Sequence, residues 1–178
     1  SSDLDYAWAS FKTYHEENYK GKTKWNWNIP FIDDEYDNID DIIQEIISQK
    51  PDVLGISLYV WNVGISLKIA ERVKQNLPNC IIVVGGPHIL YKEQMDYFKK
   101  NWFIDFVCEP NGYGEPFFDE LLYQIETDKN WDLVPFLIQP ATGRLFHKKS
   151  SAEFNKKKFT LSRHGKYILR KTGAWRCR

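Results

Sequence analysis

The sequence predicts an α/β fold, a parallel sheet with helices packed on both of its faces. Three observations predict it. Short runs rich in β-branched residues recur at 53–57, 81–84 and 104–108. The first two show no polar alternation, as expected of strands buried on both faces. Segments with helical apolar spacing separate these runs at intervals of about 25 residues. Such an order joins parallel strands through right-handed crossovers.

Taken in order, Leu4, Trp8 and Phe11 mark a helix at the start, and residues 24–32 read as an edge strand. Ile42, Ile43, Ile46 and Ile47 form the next helix, opened by acidic residues that suit its positive end. Pro51-Asp52 then leads into the strand at 53–57. Ile65, Ile69, Val73 and Leu77 recur every four residues, one stripe of an amphipathic helix ended by Pro78-Asn79. The strand at 81–84 stops at Gly85-Gly86-Pro87. A helix is expected over 92–100, a third strand over 104–108, and a helix carrying Phe118, Leu121, Leu122 and Ile125. Pro116 stands in that helix's first turn, where a missing N–H costs nothing. Residues 136–139 and 144–148 flank Pro140-Ala141-Thr142-Gly143 as a hairpin.

These elements make a three-layer α/β sandwich, Rossmann-like or flavodoxin-like. Sheets of this class start with a strand, whereas this sequence starts inside a helix. Ser1-Ser2-Asp3 look like the loop and N-cap that follow a strand, so a first strand is expected upstream. The expected organisation is an α/β domain over 1–130, a hairpin or linker over 131–149 and a basic tail over 150–178. The chain is read as a fragment.

Composition narrows the function classes. The 178 residues are 43% hydrophobic and 27% charged, too apolar for a disordered chain. The longest apolar runs are about five residues, whereas a membrane span needs roughly 18. No signal peptide opens the sequence. Three cysteines, at 80, 108 and 177, share no metal-ligand spacing, which points to a reducing, cytoplasmic setting. The 24 basic and 24 acidic residues cancel, but they are segregated. Residues 144–178 hold 12 basic residues and one acid, net +11, which leaves −11 on residues 1–143.

In open parallel sheets, ligands bind outside the carboxyl ends of the strands. Three loops qualify. The first holds Ser57, Leu58, Tyr59, Val60, Trp61 and Asn62; the second holds Gly85, Gly86, Pro87 and His88. The third runs through Glu109, Pro110, Asn111, Gly112, Tyr113, Gly114, Glu115 and Pro116. Glycine pairs at strand ends allow close backbone approach. The Ser57 hydroxyl and Asn62 amide can satisfy a polar ligand, and Tyr59 and Trp61 can cover a flat face. Equally, the glycines can serve tight turns alone and the aromatics packing alone.

Together the loops carry a resemblance. Pro-Asp-Val-Leu-Gly-Ile-Ser with Tyr-Val-Trp-Asn, then Val-Val-Gly-Gly-Pro-His, then Ile-Asp-Phe-Val, then Asn-Gly-Tyr-Gly-Glu-Pro-Phe stand in order between Pro51 and Leu122. This stretch resembles the cobalamin-binding N-terminal domain of cobalamin-dependent radical S-adenosylmethionine (SAM) enzymes. The resemblance implies cobalamin lying across the strand ends. Ser57 and its loop would meet the nucleotide tail and corrin edge, Gly85 and Gly86 would leave a slot for the nucleotide, and Gly112 to Pro116 would close the far side. Glu115 could instead cap its helix. Backbone N–H groups at helix starts suit the tail's phosphate.

Two departures qualify the match. The Asp-x-His-x-x-Gly that supplies a cobalt-ligating histidine in other cobalamin domains does not occur, and His88 is assigned a packing or hydrogen-bonding role rather than a metal one. The Cys-x-x-x-Cys-x-x-Cys that holds an iron–sulfur cluster is also absent. The chain alone is therefore expected to be non-catalytic. Cluster, SAM and substrate chemistry would belong to a radical SAM domain of the parent protein. Cys80 and Cys108 read as small buried residues.

Rival readings follow from the same residues. A response-regulator receiver needs an aspartate where Ser57 stands. A non-catalytic flavodoxin-like ligand-binding module remains compatible. A nucleic-acid module would use Lys156, Lys157 and Lys158 with Phe154, Phe159, Tyr167 and Trp175. A solvated or truncated tail is favoured over that reading.

Overall fold

The computed structural model describes residues 6–28, 38–89, 95–109, 113–142 and 144–146. It comprises helices α1 (Tyr6–Asn18), α2 (Ile39–Gln49), α3 (Val63–Asn76), α4 (Met95–Lys100) and α5 (Gly114–Glu126). The strands are β1 (Val53–Ser57), β2 (Ile81–Gly85), β3 (Phe106–Cys108), β4 (Leu137–Gln139) and β5 (Arg144–Phe146). They form one sheet in the order β1-β2-β3-β4-β5. β1 pairs parallel with β2, from Val53 opposite Ile81 to Ser57 opposite Gly85. β2 pairs parallel with β3, while β4 runs antiparallel to β3 with Val107 opposite Ile138. The result is an open, mostly parallel sheet flanked by helices, as the sequence predicts.

The chain divides into two compact units. The sheet unit holds the described residues of 28–111 and 137–145; the other holds those of 1–27 and 112–136. One apolar core fills the sheet unit, with Ile82, Val84, Val107, Ala70, Val73 and Leu58 fully enclosed. α2 contributes Ile42 and Ile46 to it. That helix starts where Asn38 Oδ1 accepts the Asp40 N–H at 3.0 Å, and it ends at Lys50 in the left-handed conformation.

The strand bases are tied by one polar cluster. Lys74 Nζ donates to the Cys80 carbonyl and to Asp105 Oδ2, each at 2.8 Å. The same Asp105 oxygen accepts the Ile82 N–H at 2.7 Å. Burial raises the Cys80 thiol to about 11, so it stays protonated and behaves as a small apolar residue. Cys108 is buried as well.

Three elements differ from the sequence reading. α3 buries Leu67, Ala70 and Val73, whereas Ile65 of the four-residue stripe stays 59% exposed. Each four-residue step overshoots a full turn by about 40°, so such a stripe drifts off the core. β3 begins at Phe106, although Asp105 N–H already donates to the Ile82 carbonyl at 3.0 Å. Residues 24–28 are not a strand, and 29–32 lie outside the described residues. So do the start of the expected 92–100 helix and the basic segment beyond 146. The expected hairpin forms, with Thr142 N–H donating to the Gln139 carbonyl at 3.3 Å between β4 and β5. Because β4 bonds to β3, the hairpin extends the sheet.

In the second unit α1 packs on α5. Its contacts are largely polar and aromatic. Ser10 Oγ donates to Glu115 Oε1 at 2.5 Å, and His15 Nδ1 shares a 2.7 Å hydrogen bond with Asp119 Oδ1. The Tyr19 hydroxyl donates to Glu126, whose carboxylate also accepts the Lys22 and Thr23 N–H groups. Around them Phe11 meets Phe118, and the His15 ring stacks on Tyr19 at 4.1 Å.

Candidate cofactor site at the strand ends

β1 ends at Ser57 and β2 at Gly85, and the loops that follow are stitched into one piece. Leu58 N–H donates to the Gly85 carbonyl at 2.7 Å, and His88 N–H returns a bond to the Leu58 carbonyl at 3.1 Å. Ile89 N–H closes the second loop on the Gly86 carbonyl at 3.2 Å. Leu58 is fully buried, so its side chain anchors this crossing in the core.

Gly86 makes the crossing possible. Its φ is +106°, a conformation that side chains rarely adopt, and a Cβ there would stand 2.7 Å from the Leu58 carbonyl oxygen. This requirement is internal to the chain. The slot expected from the glycine pair is therefore not needed to explain Gly86. At Gly85 a Cβ would meet Cys108 Cβ at an ordinary 3.5 Å.

Asn62 differs from its expected use as well. Its Oδ1 accepts the Tyr59 N–H at 2.8 Å, and its Nδ2 donates to the Ser57 carbonyl at 3.1 Å. The amide is thus committed to the loop's own backbone, although the residue is also the N-cap of α3. Tyr59 and Trp61 stack on each other, ring centroids 4.8 Å apart and planes inclined by 14°. Trp61 remains 62% exposed and Val60 77% exposed, beside the exposed Ile65. Ser57 Oγ has no hydrogen-bond partner among the described residues.

This surface carries no formal charge. No Asp, Glu, Lys or Arg occurs from Val53 to Leu67, or from Cys80 to Tyr91. It offers apolar and flat aromatic area, backbone groups and the Ser57 hydroxyl, which suits a large, mostly uncharged ligand held by area and hydrogen bonds. Among the described residues no group of three or more His, Cys, Asp or Glu could hold a metal ion. No helix among them is long and apolar enough to cross a membrane.

The third expected loop is divided between the units, with Glu109 in the sheet unit and Tyr113 to Pro116 in the other. Pro110, Asn111 and Gly112 lie outside the described residues. Tyr113 is the N-cap of α5, and its ring meets Phe136 edge-on at 5.9 Å. A Cβ on Gly114 would stand 2.8 Å from the Phe11 ring, so this glycine lets α1 approach. Glu115 is bonded to Ser10 rather than capping its helix, and Pro116 is buried in the first turn.

Sequence reasoning found the loops and missed two roles within them. Nothing in the sequence marks Leu58 as the stitch between loops. An Asn before a helix reads as an N-cap in either case, so no signal separates capping from a backward clamp.

A family model of the B12 binding domain matches residues 22–122, more than half of the chain. The chain belongs to the B12-binding domain family. Membership supports cobalamin as its ligand, and the uncharged, aromatic strand-end surface fits such a group. Two relatives align with parts of this B12-binding chain. It is 41% identical over 73 residues to the cobalamin-dependent radical SAM methyltransferase TokK of Streptomyces tokunonensis, covering 41% of this chain and 10% of the relative. It is 31% identical over 115 residues to the 2-(S-pantetheinyl)-carbapenam-3-carboxylate methyltransferase of Streptantibioticus cattleyicolor, covering 64% of this chain and 16% of the relative. The chain thus spans well under a quarter of the length of either.

Proposed function

We propose that this chain is the cobalamin-binding part of a cobalamin-dependent radical SAM methyltransferase. The observation that carries the reading is the coincidence of the family match with a prebuilt, uncharged surface at the carboxyl ends of β1 and β2. Ser57, Leu58, Tyr59, Val60, Trp61 and Asn62 form one flank of the site, and Gly85, Gly86, Pro87 and His88 the other. The radical SAM relative supports the parent context. An iron–sulfur cluster and SAM would be held by a domain outside these 178 residues, which contain no Cys-x-x-x-Cys-x-x-Cys.

When bound, cobalamin supplies a cobalt centre able to accept and give up a methyl group. The chain's own residues bind and orient. The Ser57 hydroxyl, which has no partner among the described residues, can donate to an amide or phosphate oxygen of the ligand. Trp61 and Val60 exclude water by covering apolar area; burying the exposed part of such side chains contributes about 25 cal/mol per Å². Because the loops are already stitched, little ordering entropy opposes binding.

The test is retention of the corrin. Protein incubated with hydroxocobalamin and desalted should keep the corrin's visible absorption at about one equivalent per chain, the stoichiometry of a single small-molecule site. A folded but colourless protein fraction would overturn the reading. Ser57→Ala should weaken retention about fivefold, the loss of one hydrogen bond.

A further inference from the structure

The loop after β1 contains an internal clamp whose product is a presented aromatic surface. Asn62 spends both halves of its amide on the loop backbone, accepting from Tyr59 N–H at 2.8 Å and donating to the Ser57 carbonyl at 3.1 Å. Asn62 N–H and Val63 N–H both donate to the Tyr59 carbonyl, at 3.1 and 3.0 Å. Tyr59 is therefore held at its N–H by the Asn62 side chain and at its carbonyl by the start of α3. Between these fixed points lie Val60 and Trp61, and the Trp61 ring lies flat on Tyr59 while staying 62% exposed.

An exposed indole held flat by its own loop is unusual in energetic terms. Left to solvent, a Trp side chain samples several rotamers and folds its apolar area onto the nearest surface. Here the backbone between residues 57 and 62 is cross-braced by one side chain, which fixes the direction in which residue 61 leaves the chain. A Cβ added at Gly64 would meet nothing within 4 Å, and Ile65 stands exposed in the first turn of α3.

We infer that Asn62 is a positioning residue: its amide holds the Tyr59–Trp61 stack in the orientation that the ligand meets, and it makes no contact with the ligand itself. This deepens the cobalamin reading and rests on it for the identity of the ligand, whereas the clamp stands on the free protein's geometry. It also reassigns Asn62 from the ligand-contacting role expected from sequence. Asn62→Ala removes both bonds. Asn62→Asp keeps the acceptor for Tyr59 N–H, loses the donor, and sets a carboxylate against the Ser57 carbonyl.

The experiment uses the full 178-residue chain with hydroxocobalamin as the probe and has two readouts. Near-ultraviolet circular dichroism of the ligand-free protein, wild type minus Trp61→Ala, defines the band of the stacked rings. Asn62→Ala should lose most of that band with far-ultraviolet signal and cooperative unfolding retained; Asn62→Asp should lose part of it. Hydroxocobalamin affinity should fall about tenfold or more in Asn62→Ala, the worth of two ordinary hydrogen bonds that now fix the site. In a Trp61→Ala background the same change should cost about twofold or less, because the group Asn62 acts through is gone. A general structural defect would give additive losses and overturn the proposal. Lost affinity with an unchanged ring band would overturn it too, since it would mean direct contact. If Asn62→Ala does not fold, the ring band of Asn62→Asp decides alone, and an unchanged band refutes the clamp. If wild-type protein retains no hydroxocobalamin, the cofactor reading fails, while loss of the ring band in the variants still supports the clamp.

Discussion

The sheet unit and the α1–α5 pair are held together by different physics. In the sheet unit the enclosed side chains are aliphatic, aromatic or the thiols of Cys80 and Cys108, and polar groups are paired mainly along the strand ladder. Between α1 and α5, four α5 carboxylates, those of Glu115, Asp119, Glu120 and Glu126, each hold a group from the N-terminal segment. An apolar core responds to lost volume and scarcely to pH. A carboxylate network tolerates small changes in volume and responds to protons. The proposed site sits on the first kind of scaffold, which suits loops that must keep their geometry in all states of their cofactor.

The largest effect that sharpens this contrast is expected at the centre of the sheet. Ile82 is fully buried in β2 between two parallel neighbours. Ile82→Ala should cost about 3–4 kcal/mol, transfer and cavity together, read as a lower urea midpoint at unchanged slope. A loss below about 1 kcal/mol would mean that the sheet core is loosely packed, and the contrast would fail.

Gly86→Ala should come next, at about 2–3 kcal/mol, because the new Cβ meets backbone rather than a flexible side chain. It should also lower hydroxocobalamin retention, since the Leu58 crossing carries both loops. Unchanged stability would show that Gly86 serves only ligand access. Lys74→Met follows, at about 1–2 kcal/mol: it unpairs Asp105 Oδ2 from its cation and leaves the Ile82 N–H bond in place. Here the sheet unit borrows the chemistry of the helix pair, so a measurable salt dependence is expected in this cluster.

Much of this was legible in the sequence. Continuous β-branched runs bounded by Pro51-Asp52 and by Gly85-Gly86 gave β1 and β2 nearly to the residue, because few other structures bury every position of such a run. The isoleucines of α2 and its acidic first turn were equally direct, whereas the Asn38 cap appears only in the structure. The α3 stripe holds for Val73, with Ile69 and Leu77 packed against the core, and fails at Ile65, since period four and period 3.6 part company over three turns and that residue faces solvent. At the site, the loops could be located from topology alone. Their internal bonding could not, because whether an amide faces a ligand or its own backbone is decided by φ and ψ at residues 57–62, which residue identity does not fix. The α1–α5 network was not legible at all: its pairs lie about a hundred residues apart, as His15 and Asp119 do.

The smallest expected effect is the one that most directly separates the two regions, and it is a dependence on pH with two opposite signs on one helix. Burial is the main cause that raises the Asp119 carboxyl from 3.8 to about 6, with the hydrogen bond from His15 working against it. Because the folded state holds this proton more tightly than the unfolded chain, the contribution of Asp119 is fully present below about 4 and is lost as pH rises through about 6. Glu126 runs the other way. The Tyr19 hydroxyl and the N–H groups of Lys22 and Thr23 lower it from 4.5 to about 2, so its contribution is present above 4.5 and is lost as pH falls toward 2. Stability of the α1–α5 contact, followed by the fluorescence of Trp25 and Trp27 in urea, should therefore pass through a maximum between about pH 4 and 5. Asp119→Asn should flatten the descent between pH 4 and 6, and Glu126→Gln the descent on the acid side. Both amplitudes should be small, because these groups retain contact with water. Ile82→Ala should lower the whole curve without changing its shape. If either carboxylate variant leaves the profile unchanged while Ile82→Ala reshapes it, protons act on the sheet rather than on the helix pair, and the division of labour between the two regions is the reverse of the one drawn from their contacts.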